Sequence, residues 1–148
     1  MSIGNDIMGD DGAAFEAAKL IRMKYPDEVE YENVYGGGME ILDYMEGREK
    51  VLILDTISEG GKPVGSITEI EKEEFPVILT SSPHYIGLPE VIRLANMFEI
   101  DFPETMKILA LHTEHQYEVT EELSPQIRAA LPEYAERAIK IIEGWISN

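Results

Sequence analysis

Short apolar runs alternate along this chain with longer stretches of helical periodicity, and that alternation restricts the fold more than any other feature. Val51-Leu52-Ile53-Leu54 is the sharpest of the runs. Four consecutive apolar residues leave no polar face, so a strand built from them must be covered on both sides, as in a parallel sheet held between layers of helices. The segments before it repeat the theme. Met1 to Gly4 is a stub of strand, and Asp10 to Lys24 is a helix with Ala14, Ala17, Ala18 and Ile21 on one face, stopped at Pro26. Val29 to Tyr35 reads as a strand, and Met39 to Met45 as a short helix after three glycines. Strand, helix, strand, helix, strand is how a mostly parallel sheet is laid down.

The second half varies the pattern. Gly60-Gly61-Lys62-Pro63 is a turn, and Gly65 to Glu71 sets Ile67 and Ile70 among polar residues as an edge or antiparallel strand does. Val77 to Thr80 is a brief apolar run leading into Pro83-His84, Pro89 to Phe98 is helical, and Met106 to Leu111 is another strand. The last element runs from Ser124 to Ile146: Ser124 suits a helix start with Pro125 in the first turn, and Leu131, Tyr134, Ala138, Ile141 and Trp145 recur at helical spacing. Pro132 marks a place for this helix to divide. The expectation is an α/β fold, a three-layer α/β/α sandwich whose five-stranded twisted sheet is mostly parallel with one antiparallel strand and a shortened first strand. With 148 residues, no internal repeat and no low-complexity linker, residues 1–148 are expected to form a single domain.

Composition removes several kinds of chemistry. The chain has no Cys, which excludes disulfides, thiolate metal clusters and a cysteine nucleophile. Twenty-nine acidic residues against 12 basic ones give a formal charge of -17, which repels a phosphate backbone, so no nucleic-acid partner is expected. No apolar run has the roughly 18 to 20 residues of a membrane span, and Met1-Ser2-Ile3-Gly4 offers no signal-peptide pattern. The expected location is the cytoplasm.

Three side chains stand where a strand gives way to a loop or helix: Asp11 in Gly9-Asp10-Asp11-Gly12, Asp55 closing Val51-Leu52-Ile53-Leu54-Asp55, and His84 in Ser82-Pro83-His84. In an open parallel sheet the carboxyl ends of the strands form one crevice, where residues far apart in sequence converge on a ligand. Capping of a helix amino terminus accounts for one of Asp10 and Asp11 and leaves the other to face the crevice. An ionised carboxylate at the end of a buried apolar strand must be paired, metal-bound or at a functional mouth, which singles out Asp55. His84 alone is as consistent with a surface residue as with a ligand. His112 and His115 read as structural or surface residues, and the scattered methionines as core filling.

Taken together, Gly4-Asn5 followed by Asp10-Asp11-Gly12, Asp55 at a strand end, and Ser82-Pro83-His84-x-x-Gly87-Leu88-x-x-Val91-x-x-Leu94-Ala95 resemble the hydrogenase maturation proteases. The likeness runs over nearly the whole chain, including Gly38-Met39-Glu40-Ile41-Leu42-Asp43 and Leu123-Ser124-Pro125. The resemblance implies an endopeptidase that removes the carboxyl-terminal extension from the large-subunit precursor of a nickel-iron hydrogenase. It implies that Asp11, Asp55 and His84 engage nickel, that the nickel is supplied by the substrate as a sign of completed metal insertion, and that no organic cofactor is needed. Oxygen and imidazole donors suit such a borderline divalent ion, and an incomplete ligand set leaves positions for the substrate.

Two features depart from the family pattern. Relatives begin with a fuller apolar strand, so either a start lies upstream of Met1 or the first, central strand is shortened. Where relatives carry Asp-Gly-Gly-Thr after the second strand, this chain has Asn33-Val34-Tyr35-Gly36. Other readings share parts of the constellation. A response-regulator receiver domain also combines an early acidic pair with an Asp at the end of its third strand, here Asp10, Asp11 and Asp55, and Thr80 suits its later hydroxyl, but His112 stands where a Lys is required. A noncatalytic metal-binding chaperone would use the same three residues. A nucleotide-binding α/β protein lacks support, because acids at the first helix start repel a pyrophosphate.

Overall fold

The computed structural model of the protein describes residues 1–37, 40–58, 61–75, 88–114 and 118–147. A five-stranded sheet forms its middle layer, in the order β2-β1-β3-β5-β4. The strands are β1 (Ser2–Ile3), β2 (Asn33–Val34), β3 (Lys50–Ile57), β4 (Ile67–Glu71) and β5 (Thr105–His112). All neighbours are parallel except β4 and β5, which pair antiparallel. The Val77 to Thr80 run lies outside the described residues.

Helices cover both faces. On one side α1 (Ala13–Lys24) and α4 (Pro125–Ile146) pack on Leu52, Leu54, Leu109 and Leu111 through Ala13, Ala14, Ala17, Ile21, Tyr134 and Ala138. On the other, α2 (Ile41–Met45) and α3 (Leu88–Met97) lie over Val51, Ile53, Met106 and Ile108, with Ile41, Met45 and Ile92 at the contact. The apolar run of β3 thus divides its side chains between two cores by strand alternation, which is why it needs no polar face.

Several boundaries differ from the sequence reading, each for a physical reason. The strand expected from Val29 to Tyr35 shrinks to Asn33–Val34, because a strand extends only as far as its neighbour and β1 offers just Ser2 and Ile3 for pairing. β1 is interior but not central; β3 is the middle strand. It continues past Asp55 to Ile57, since β5 pairs with it over all eight residues from Lys50↔Thr105 to Ile57↔His112. β4 is the antiparallel edge, yet its two isoleucines, three apart, fall on opposite faces: Ile70 in the α2/α3 core and Ile67 against the α1/α4 core. Pro132 does not divide α4. Pro132 and Arg128 both lie on the exposed face, so the carbonyl deprived of its partner meets water.

The chain passes from β1 through α1 to β2 on one side, then returns through α2 on the other face to β3. The order therefore reverses between β1 and β3, and a crevice opens beyond their carboxyl ends. This arrangement also departs from the receiver domain, whose sheet has the flavodoxin-like order 2-1-3-4-5.

Candidate functional site

The loop leaving β1 builds the near wall of this crevice. Asn5 Oδ1 accepts from Ile7 N at 3.2 Å and Asn5 O from Met8 N at 3.1 Å, which folds the chain back on itself. Gly9 N then donates to Thr120 O at 2.7 Å, and Thr120 N to Ile7 O at 2.9 Å, so the loop is pinned to a distant segment. Asp10 and Asp11 sit in a 3-10 turn, Gly9–Gly12, ahead of α1 rather than within it.

The two acids divide their work. Asp10 is buried, and its Oδ1 accepts from the N–H of Ser124 at 2.6 Å, fixing the start of α4. Asp11 is half-buried and its Oδ1 accepts from Thr56 Oγ1 at 2.9 Å. The sequence alone leaves open which acid is structural; the structure gives that task to Asp10.

Asp55 is fully buried, and its Oδ1 accepts from Thr56 N at 2.8 Å. By strand alternation it turns toward the α2/α3 side, whereas Thr56 turns toward α1 and Asp11. Behind it, the Tyr134 hydroxyl lies 3.0 Å from Asp55 O and 2.8 Å from Leu109 O and shares its one proton between them, clamping the ends of β3 and β5 to α4. Burial first, and then the Asp55 charge, pushes the Tyr134 phenol well above its usual pKa, so it stays a donor. Neither Thr56 nor Tyr134 is marked in the sequence as part of a site.

Two of the three expected residues thus each bond Thr56, Asp11 through its hydroxyl and Asp55 through its N–H. The third, His84, lies outside the described residues, as do His115 and Thr80. Among the described residues no three His, Cys, Asp or Glu side chains come together as a metal site. His112 is buried at the same end of the sheet; its Nε2 lies 2.9 Å from Thr68 Oγ1, which accepts from Lys62 Nζ at 2.8 Å. Burial, then the Lys62 charge, lowers the His112 pKa. A neutral, hydrogen-bonded His112 fits the structural role expected from the sequence.

The position where the chain departs from the family pattern is also occupied. Asn33 Oδ1 accepts from Ser2 Oγ at 2.6 Å, and Tyr35 Oη donates to Asp6 Oδ2 at 3.2 Å while its ring packs edge-on against Phe15 at 4.9 Å. A cavity of about 510 Å³ opens elsewhere, at the amino ends of β1 and β3, lined by Ser2, Tyr31, Leu52 and Trp145. It lies at the opposite edge of the sheet from the one where open α/β sheets bind ligands.

The family model for hydrogenase maturation protease (HycI) matches residues 18–141. The chain belongs to the hydrogenase maturation protease family. It is a peptidase of that family, whose members act on hydrogenase precursors. It is similar to the hydrogenase 2 maturation protease of Escherichia coli K12, with 28% identity over 131 residues, 86% of this chain and 75% of that protein. It is also similar to the hydrogenase expression/formation protein HupD of Rhizobium leguminosarum bv. viciae, with 22% identity over 98% of this chain and 73% of that protein. Among solved structures, the maturating endopeptidase HybD of E. coli shares the fold with a TM-score of 0.77 at 24% identity, covering 96% of this chain and 89% of its own. The [NiFe] hydrogenase maturation protease HybD of Thermococcus kodakarensis does so with a TM-score of 0.72 at 21% identity, with 94% of each chain covered. No described helix of this family member is long and apolar enough to cross a membrane.

Proposed function

We propose that this protease removes the carboxyl-terminal extension of a nickel-iron hydrogenase large-subunit precursor after nickel has been inserted, and that Asp11, Asp55 and His84 engage the nickel carried by that substrate. The observation that carries the reading is that Asp11 and Asp55 each hydrogen-bond Thr56, at 2.9 and 2.8 Å, beside the reversal point of the sheet. Carboxylates at a strand end beside the crevice are suitable oxygen donors for a divalent cation arriving with the substrate. His84 precedes α3 by four positions, and α3 lies on the face toward which Asp55 turns. That supports its joining the pair as a nitrogen donor.

The chemistry follows from the donor set. Two carboxylates and one imidazole leave coordination positions open on a borderline divalent ion, and the precursor's own ligands fill them. Hydrolysis needs a water to attack the scissile carbonyl and lose a proton, while the leaving amine gains one. One of the carboxylates takes the proton. Exposed Ile7 and Val119, on the two segments joined at Thr120, offer an apolar rim for an extended peptide next to Asp11.

Incubation with large-subunit precursors, with and without nickel, read by intact mass, tests the proposal. Loss of the extension only from nickel-loaded precursor is the expected result, abolished by Asp11→Asn, Asp55→Asn or His84→Ala in variants that remain folded. Binding of loaded precursor without cleavage points to a chaperone instead, and normal cleavage by any of the three variants rejects the site.

A further inference from the structure

Thr56 touches both carboxylates. Its backbone N–H donates to Asp55 Oδ1 at 2.8 Å and its hydroxyl donates to Asp11 Oδ1 at 2.9 Å, although Asp11 lies 45 positions earlier. The residue is nearly buried, 7% exposed, on a strand paired along its whole length with β5. A β-branched side chain there has few rotamers, so the hydroxyl is held in one place. Asp11, by contrast, stands in a 3-10 turn on a loop, where nothing in its own local structure fixes a carboxylate to ångström accuracy.

We propose that Thr56 is a positioning residue that sets the Asp11 carboxylate relative to Asp55, so that the pair is arranged for a cation before substrate arrives. This inference rests on the assignment of Asp11 and Asp55 to nickel recognition. A hydroxyl has one proton, and spending it on Asp11 Oδ1 orients the carboxylate and leaves Oδ2 as the oxygen for a metal. Partners that orient a ligand in this way typically govern affinity or activity by 10- to 100-fold. The bond also explains why Asp11, and not Asp10, serves the crevice: Asp10 is held by Ser124, and Thr56 draws its neighbour toward β3.

The test compares the full chain with Thr56→Val, which keeps the branched shape and loses the hydroxyl, and Thr56→Ser, which restores it. Cleavage of nickel-loaded precursor and uptake of Ni²⁺ alone by the free protein are both measured, well below each variant's unfolding temperature. Thr56→Val is expected to lose about tenfold in both, and Thr56→Ser to recover most of the loss. Because Thr56 acts through Asp11, the Thr56→Val effect on Ni²⁺ uptake should vanish in an Asp11→Asn background, which a general loss of stability would not produce. Wild-type uptake and cleavage by Thr56→Val, or an undiminished effect in the Asp11→Asn background, would overturn the positioning role while leaving the site assignment standing. Failure of the unaltered chain to cleave loaded precursor would overturn both.

Discussion

Tyr134, in the middle of α4, reaches through the α1/α4 core to place its hydroxyl 3.0 Å from the carbonyl oxygen of Asp55. The same hydroxyl lies 2.8 Å from Leu109 O, so one buried phenol ties two neighbouring strands to a helix directly behind the candidate site. Tyr134→Phe removes the donor and leaves the ring, isolating the hydrogen bonds from the packing. A net cost of about 1 to 2 kcal/mol is expected, since two buried carbonyls lose a shared partner. Urea unfolding of the two proteins measures it, and an unchanged midpoint would mean the ladder bonds of β3 and β5 already satisfy those carbonyls.

Asp10 and Asp11 should separate in their effects when replaced. Asp10→Ala deletes the 2.6 Å bond to Ser124 N and the charge assistance behind it, at a cost of about 2 kcal/mol. Asp10→Asn keeps an oxygen acceptor and should cost less. Asp11→Ala, at a half-buried position, should change stability little and abolish cleavage. Paired thermal unfolding and precursor-cleavage assays check this; equal loss of activity from Asp10→Asn and Asp11→Ala would contradict the division.

Residues whose neighbours are local were legible in the sequence, and residues defined by distant partners were not. The apolar run of β3 announces a strand covered on both faces, and the charge of Asp55 after it announces a special position, because each signal is carried by adjacent residues. The length of β2 is invisible in its own sequence because β1 limits it. Two adjacent acids in one turn look alike until Ser124, 114 positions away, takes Asp10. Thr56 reads as an ordinary β-former and Tyr134 as one more apolar helix position, since nothing local reveals where their hydroxyls go. His84 was singled out by its motif, and it lies outside the described residues.

His112 gives the protein a pH dependence of definite sign. Its pKa is lowered in the folded state, by burial first and the Lys62 charge second, so the unfolded chain holds the extra proton more readily. Stability therefore rises with pH wherever the unfolded histidine is protonated and the folded one is not. The contribution is lost as pH falls below the ordinary histidine value of about 6.5 and levels off below the folded value. Unfolding midpoints across that range, for the native chain and His112→Gln, measure it: the histidine-specific slope should disappear in the variant, and its persistence would assign the effect to carboxylates instead.

Gly4 fixes how closely the loop can return to the first strand. A Cβ at this position would stand 2.1 Å from the backbone oxygen of Asp11, a contact that no rotamer change relieves because the obstacle is main chain. Gly4→Ala must therefore push the Gly9–Gly12 turn away from β1, and the turn carries Asp11 with it. The displacement should break the 2.9 Å bond to Thr56 and cost the Asp10–Ser124 tie as well, since both acids ride on the same four residues. A loss of about 2 to 4 kcal/mol is expected, in the upper range for single replacements, together with loss of cleavage in whatever fraction remains folded. Denaturant unfolding and precursor cleavage check the two parts separately. Gly4→Ala with native activity would mean that the turn tolerates movement and that Asp11 is not held to a fixed geometry.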